Sequence, residues 1–266
     1  MSGSVDLTLR GPVAHVSLSH PGKLNAMSRS MWCELQRVFV AIQNDQQLRC
    51  VVVEGEGGHF CSGGDISEYP AFRFDEVSLR AFHEGDVWGG LSAMLACDVP
   101  IVAHIEGNCM GAGLEIASCC DLRLASNCAR FGAPIAKLGF PMAPREAALV
   151  MHAVGEQTAR DMLLTAAVLD AGAMQQRGFL NSVQSAGDTT LAVQACMSRI
   201  TALAPHAARL NKQMFRSVAG VFSSSVATQS IANTTFNVYG YAASHEHREG
   251  VAAFIEKRSP TFNRFN

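Results

Sequence analysis

The sequence is short of charge, of closely spaced cysteine pairs and of long apolar runs, and each shortage removes a class of function. Charged residues make up 17% of the 266 positions, against roughly 25% in an average globular chain. The net charge of −2 supplies no basic field to hold a nucleic-acid backbone or an anionic membrane surface. Nucleic acid and membrane are therefore not expected partners. The nine cysteines contain no CxxC pair, and Cys119 directly precedes Cys120, so neither a disulfide framework nor a zinc site of ordinary spacing is visible. They read as core thiols. The nine histidines are scattered, and His245 and His247 diverge if they share a helix, so no metal site is expected. No stretch approaches roughly 18 uninterrupted apolar residues, and the first residues lack a cationic start followed by an apolar segment. The expectation is a cytoplasmic, reducing compartment.

What the sequence holds instead is apolar residues, 48% of the chain, enough for a large core. Val5 to Arg10 and Val13 to Ser19 alternate apolar and polar residues around Gly11-Pro12, the pattern of a hairpin. Ser28 can cap a helix whose apolar residues Met31, Leu35, Val38, Phe39 and Ile42 recur at helical spacing. CVVVEGEG, PIVAHIEG and DLRLAS read as strands, with a helical segment from about 75 to 97 between the first two. Strand, helix, strand units of this length favour parallel pairing. From Pro144 onward the pattern is mostly helical, with candidates at 144–154, 156–165, 187–203, 205–219, 223–241 and 244–257. Composition changes little there. Residues 1–200 are read as an α/β core and residues 201–266 as a helical extension of the same domain.

GAGLEIASCCDLRLA places one carboxylate, Glu115, among glycine, alanine, cysteine and aliphatic residues. Loss of water disfavours the charged form of a buried carboxyl and raises its pKa toward the range useful for proton transfer. A glutamate at the surface end of a helix is the alternative. Two glycine-rich turns, HFCSGGDI and GNCMGAGLEI, each follow an apolar strand directly. A turn from strand into helix leaves backbone N–H groups unpaired, which suits a developing oxyanion. Glycine and alanine there let a carbonyl approach the backbone. Neither turn has the spacing of a dinucleotide or phosphate-loop fingerprint, and tight packing would explain either one alone.

In order, HPGKLNAM, HFCSGGDI, GNCMGAGLEIASCCDLRLAS, RFGAPIAKLGF and EGVAAFIEKRSPTF resemble the enoyl-CoA hydratase/isomerase (crotonase) superfamily over nearly the whole chain. The resemblance implies an α/β fold, a crotonase-like spiral of ββα units with a helical C-terminal trimerisation region. It implies acyl-CoA substrates, with coenzyme A as part of the substrate and no separate cofactor, and a homotrimer or dimer of trimers. The oxyanion-hole N–H groups of the family fall on Gly64 and Ala112, the second usually a glycine. Contacts to CoA fall on Lys23, Leu24, Ala26, Ser62, Gly64, Asp65 and Ile66, and Lys257 falls where the phosphates of a neighbouring subunit's ligand would lie. A solvated surface side chain is the alternative at Lys23 and Lys257.

Glu115 matches the first of the two catalytic glutamates of the hydratases. The second stands in a motif F-G-x-P-E, and RFGAPIAKLGF has Ile135 there, which leaves that position as a substrate contact only. Water addition to a 2-enoyl thioester needs one group to orient or deprotonate water and one to protonate the α-carbon. Glu146, in the first turn of the next helix, either replaces the missing carboxylate or complements the helix dipole. His83 and Glu84, on the segment expected to cover the acyl pocket, divide between site and solvated face in the same way. Enoyl-CoA hydration is the best single reading. Double-bond isomerisation, thioester hydrolysis and decarboxylation use the same oxyanion site, and a non-catalytic member that binds acyl-CoA or a protein is the alternative from another class.

Overall fold

The hairpin of the first twenty residues opens the structure, a computed structural model that describes residues 2–222 and 240–262. β1 (Ser4–Arg10) and β2 (Val13–Ser19) pair antiparallel, Arg10 opposite Val13, across a turn in which Gly11 takes φ +58°. Ser28 then caps α1 (Arg29–Asn44), its hydroxyl accepting from the Met31 N–H. The five apolar positions read from the sequence are all buried on that helix, with Trp32 beside them.

From here the chain repeats one unit: a strand in a main sheet, a short strand or single bridge in a second layer, then a helix. β3 (Cys50–Gly55) is followed by isolated bridges at Cys61 and Gly64, then by α2 (Glu76–Ala81) and α3 (Trp88–Ala96). β4 (Ile101–Ile105) leads to β5 (Asn108–Met110) and α4 (Ala112–Ser118). β6 (Leu122–Ser126) leads to β7 (Arg130–Gly132), α5 (Pro144–Val154) and α6 (Glu156–Thr165). β8 (Val168–Asp170), α7 (Ala171–Gln176) and β9 (Ser182–Gln184) complete the sheets, and α8 (Thr189–Thr201), α9 (Pro205–Phe222) and α10 (His245–Glu256) follow. The main sheet has the order β1-β2-β3-β4-β6-β9 and the small one β5-β7-β8. Every main-sheet pairing after the hairpin is parallel.

The apolar runs are explained by burial on both faces, as parallel strands require. Val51, Val53, Ile101 and Ala103 pack with Trp32, Leu35, Phe39, Leu91 and Met94 of α1 and α3. Their alternates Cys50, Val52 and Val102 pack with Val193 and Cys196 of α8 on the other face. Seven of the nine cysteines are buried, and all nine are free thiols. Two buried cations tie α9 to this core: Arg209 donates to the carbonyls of Asp45 and Leu48, and Lys212 donates to the Val99 carbonyl and pairs with Asp121 at 2.8 Å.

The sequence-based expectations differ from the structure in three places. The helix expected at 75–97 is broken by a wider π-helical turn at Phe82–Val87, centred near Gly85, which shifts the side-chain register between α2 and α3. β5, β7, β8 and β9 have three residues each, too few for a periodicity to register. The helix expected at 223–241 lies outside the described residues except for its last two positions, which belong to a 3-10 turn at Gly240–Ala243.

Candidate active site

The two glycine turns meet because short stretches of backbone pairing clamp them together. The Cys61 N–H donates to the Asn108 carbonyl at 2.8 Å, and the Met110 N–H donates to the Cys61 carbonyl at 2.9 Å. On the other side the Met27 N–H donates to the Gly63 carbonyl and the Asp65 N–H to the Met27 carbonyl, both at 2.8 Å. Gly111 takes φ +47°, and a Cβ on it would lie 3.6 Å from the Cα of Gly63. A side chain on Gly111 would thus meet the backbone of the other turn. At Gly113 a Cβ would come within 2.6 Å of the Cys61 carbonyl oxygen, so glycine is what lets α4 approach the first turn.

This clamp leaves two donors over. Ala112 is the first residue of α4, where an N–H has no partner inside the helix. Among the described residues neither its N–H nor that of Gly64 meets a protein acceptor. Both residues line a cavity of about 360 Å³, which Ser62, Ile66 and Ile135 also line. The Tyr69 hydroxyl stands against Gly64, where any Cβ would overlap it. Burial pushes the Tyr69 phenol above its ordinary value.

Glu115 faces the same cavity from the first turn of α4 and is 7% exposed. Its carboxyl makes no hydrogen bond to the protein among the described residues. Burial first, and the charge of Glu146 second, push its pKa well above the usual carboxylate range. The reading of Glu115 as a surface helix end is thereby removed.

Glu146 brings a second carboxylate to the cavity that Glu115 and Ile135 line. It sits in the first turn of α5, but it is 3% exposed and lines the cavity, so a solvated dipole complement does not describe it. His83, on the π-helical turn, brings Nδ1 to 2.9 Å from Glu146 Oε1. The two residues considered together on that segment part company here: Glu84 is exposed and pairs with Arg145 at 3.1 Å, outside the cavity. Ile135 begins the 3-10 turn Ile135–Leu138 and contributes apolar wall.

Lys23, Leu24, Ala26 and Asp65 do not line the cavity; they form a buttress beside it. Lys23 Nζ donates to Asp65 Oδ2 at 2.6 Å and to the Ser67 hydroxyl at 2.8 Å. Burial opposes ionisation of Asp65, but the hydrogen bonds from Lys23 and Ser67 outweigh it and hold the carboxyl below its ordinary range. The Ser62 hydroxyl donates to the Lys23 carbonyl at 2.9 Å, and the Ala26 carbonyl lies 2.7 Å from His20 Nδ1. Leu24 projects into solvent, 45% exposed. Lys257 follows α10 with φ +56°, exposed and away from this cavity. Two lining residues were not signalled by the sequence at all: Tyr69 and Arg73, four apart in SEYPAFRF, a stretch without periodicity or motif.

The family model for enoyl-CoA hydratase/isomerase matches residues 9–264, nearly the whole chain. The chain belongs to the enoyl-CoA hydratase/isomerase family. The short-chain-enoyl-CoA hydratase of Clostridium acetobutylicum is 30% identical over 258 residues, 96% of this chain and 95% of that protein. A probable enoyl-CoA hydratase of Mycobacterium tuberculosis is 28% identical over 250 residues, 94% of each chain. Among solved structures, an enoyl-CoA hydratase/carnithine racemase from Magnetospirillum magneticum superposes with a TM-score of 0.90 at 31% identity, covering 99% of this chain and 97% of that one. The crotonase-type α/β architecture of the family, with its C-terminal helical region, is the architecture found here.

Proposed function

We propose that the protein is an enoyl-CoA hydratase whose second carboxylate is Glu146. The observation that carries this reading is the presence of Glu146, fastened to His83, in the cavity that holds Glu115. An enoyl thioester whose carbonyl oxygen lies between the Gly64 and Ala112 N–H groups gains its charge stabilisation where the enolate develops. Glu146 takes a proton from water as the water oxygen bonds to the β-carbon. The C=C electron pair becomes the bond between the α-carbon and the carbonyl carbon of the enolate, and the carbonyl π pair moves onto the thioester oxygen. Glu115, whose hold on its proton is strengthened by burial and by the charge of Glu146, gives it to the α-carbon as the enolate collapses. The product is a 3-hydroxyacyl thioester, and the cycle closes when Glu146 gives up its proton and Glu115 regains one, directly or through solvent. The division of labour follows from environment: a carboxyl without protein hydrogen bonds beside one that a histidine holds.

Crotonyl-CoA incubated with the protein should yield 3-hydroxybutyryl-CoA, read as loss of enoyl absorbance and a gain of one water by mass spectrometry. A shifted double bond, free CoA or loss of CO2 from a malonyl-type thioester would instead select isomerase, hydrolase or decarboxylase. Binding without any product would select the non-catalytic reading.

The same proposal includes self-association and a cytoplasmic location. On α10, Phe254 and Ile255 are 86% and 73% exposed, an apolar face that a second copy would cover. The trimer or dimer of trimers that the resemblance implies should appear as three or six chain masses in light scattering; a monomer at micromolar concentration would refute it. Free thiols throughout the core suit a reducing compartment. No helix among the described residues is long and apolar enough to cross a membrane.

A further inference from the structure

Most of the cavity wall is apolar, and two cations on it have no use in the hydration step, the exposed Lys137 and the half-buried Arg73. The Arg73 Cζ lies 3.5 Å from the ring centroid of Phe140 and 4.5 Å from that of Tyr69, and these two rings, inclined at 71° to each other, flank it on two sides. The Arg73 N–H donates to the Tyr69 carbonyl at 2.8 Å, which fixes the backbone below it. Aromatic contacts hold a cation without consuming its N–H donors. Among the described residues no carboxylate comes within 4.0 Å of Arg73 and its side chain makes no hydrogen bond. Glu146, which attracts it from farther off, is already held by His83 at 2.9 Å. A positioned, half-buried cation without a partner has an unmet match, and the shape that meets a guanidinium edge best is a carboxylate.

On the reading of this cavity as an acyl-thioester site, we infer that the preferred acyl group carries a free carboxylate, bound by the N–H donors of Arg73 while the thioester oxygen sits at Gly64 and Ala112. The substrate class is the CoA monothioester of a dicarboxylic acid. Tyr69 links the two ends of this arrangement: its hydroxyl abuts Gly64 and its ring supports Arg73. The stretch expected to meet CoA, Lys23 to Ala26, does not line the cavity, whereas Arg73 lines it together with Glu146 and Ile135. An acyl carboxylate is thus the nearer source of the anion, and a CoA phosphate is the competing one.

Calorimetric binding of saturated thioesters, which cannot be hydrated, separates these sources and does not depend on turnover. The ligands are succinyl-, glutaryl- and adipyl-CoA, the neutral butyryl- and hexanoyl-CoA, and CoA itself. Wild type should bind the best of the three carboxylated ligands about 10-fold more tightly than either neutral one. Arg73→Gln should abolish that preference while binding of butyryl-CoA and CoA stays within about threefold. Arg73→Lys, which keeps the charge but not the planar fork, should retain part of it. Lys137→Gln, at an exposed lining cation, should leave the preference in place. Equal or tighter binding of neutral thioesters by wild type would overturn the inference. So would an equal loss for every CoA ligand in Arg73→Gln, the mark of a phosphate contact, or a larger effect of Lys137→Gln than of Arg73→Gln. Failure of the hydration proposal would show separately, as absence of 3-hydroxyacyl product from any enoyl thioester in an enzyme that still discriminates these ligands.

Discussion

The two walls of the cavity are built by different means. One wall is backbone: Gly63, Gly64, Gly111 and Ala112 at strand ends, locked by hydrogen bonds between Cys61, Asn108 and Met110, with Glu115 one turn into α4. The other wall is side chains carried on irregular backbone: Tyr69 and Arg73 in and after a 3-10 turn, His83 on a π-helical turn, Phe140 in a loop and Glu146 at the start of α5. Donors fixed at strand ends cannot readjust to a substrate, which suits charge stabilisation common to all acyl thioesters. The second wall can change by substitution without disturbing a sheet, which suits the choice of acyl group and of reaction. On the proposed reading, fixed oxyanion donors with the acid Glu115 thus face an adaptable wall that carries the base Glu146.

The largest expected effect comes from breaking the acid on the fixed wall. Glu115→Gln should lower kcat for crotonyl-CoA by about 10³-fold, because an amide cannot deliver a proton to the α-carbon. Binding of butyryl-CoA should stay within about threefold. Steady-state kinetics and calorimetry check the two halves, and retained turnover would remove Glu115 from the mechanism.

The opposite wall should respond next. Glu146→Gln should cost about 10²-fold in kcat, and His83→Gln about 10-fold, since His83 acts through Glu146 and does not itself move the proton. The double variant should be little slower than Glu146→Gln alone, because removing the carboxylate leaves His83 nothing to hold. Additive losses would mean that His83 acts on substrate independently.

The difference between the walls also explains what the sequence discloses. The glycine turns and Glu115 lie within two stretches of about ten residues, each directly after an apolar strand, so the chemistry of that wall is written locally. The hairpin, α1 and the helices at 144–154 and 156–165 are legible for the same reason, with periodicity and caps adjacent in sequence. The second wall joins residues far apart: His83 and Glu146 are 63 positions from each other, and Arg73 meets Phe140 across a comparable span. In one dimension Glu146 looks like a carboxylate complementing the dipole of α5. Only packing shows that this first turn points inward.

Ile135→Glu in the Glu146→Gln background sharpens the same point. Ile135 lines the cavity at the position where the resemblance implies a second glutamate, and its partial exposure lets a carboxylate remain solvated. If the cavity needs a second carboxylate and not Glu146 in particular, the double variant should recover about 10-fold of the lost kcat. A folded double variant that binds butyryl-CoA but recovers nothing would show that the hold of His83 on Glu146 is indispensable.

The smallest effect is thermodynamic and tests the burial of Glu115 without any substrate. A glutamate in the unfolded chain ionises near pH 4.3 or so, whereas in the folded protein burial and Glu146 keep the proton on Glu115 well above that. Between those limits folding takes up a proton, so this group's contribution to stability is present below the unfolded pKa and is lost as pH rises, at up to about 1.4 kcal/mol per pH unit. Glutamine at position 115 does not titrate and has no such slope. Denaturant midpoints of Glu115→Gln relative to wild type should therefore improve steadily from pH 4 toward neutrality and level off once the folded carboxyl ionises. The same ionisation removes the proton that the acid delivers, so kcat of the wild type should fall on the alkaline side over the window in which the stability difference levels off. A constant difference in midpoint across that range would place Glu115 in a hydrated environment and take away the physical reason for its role as the acid.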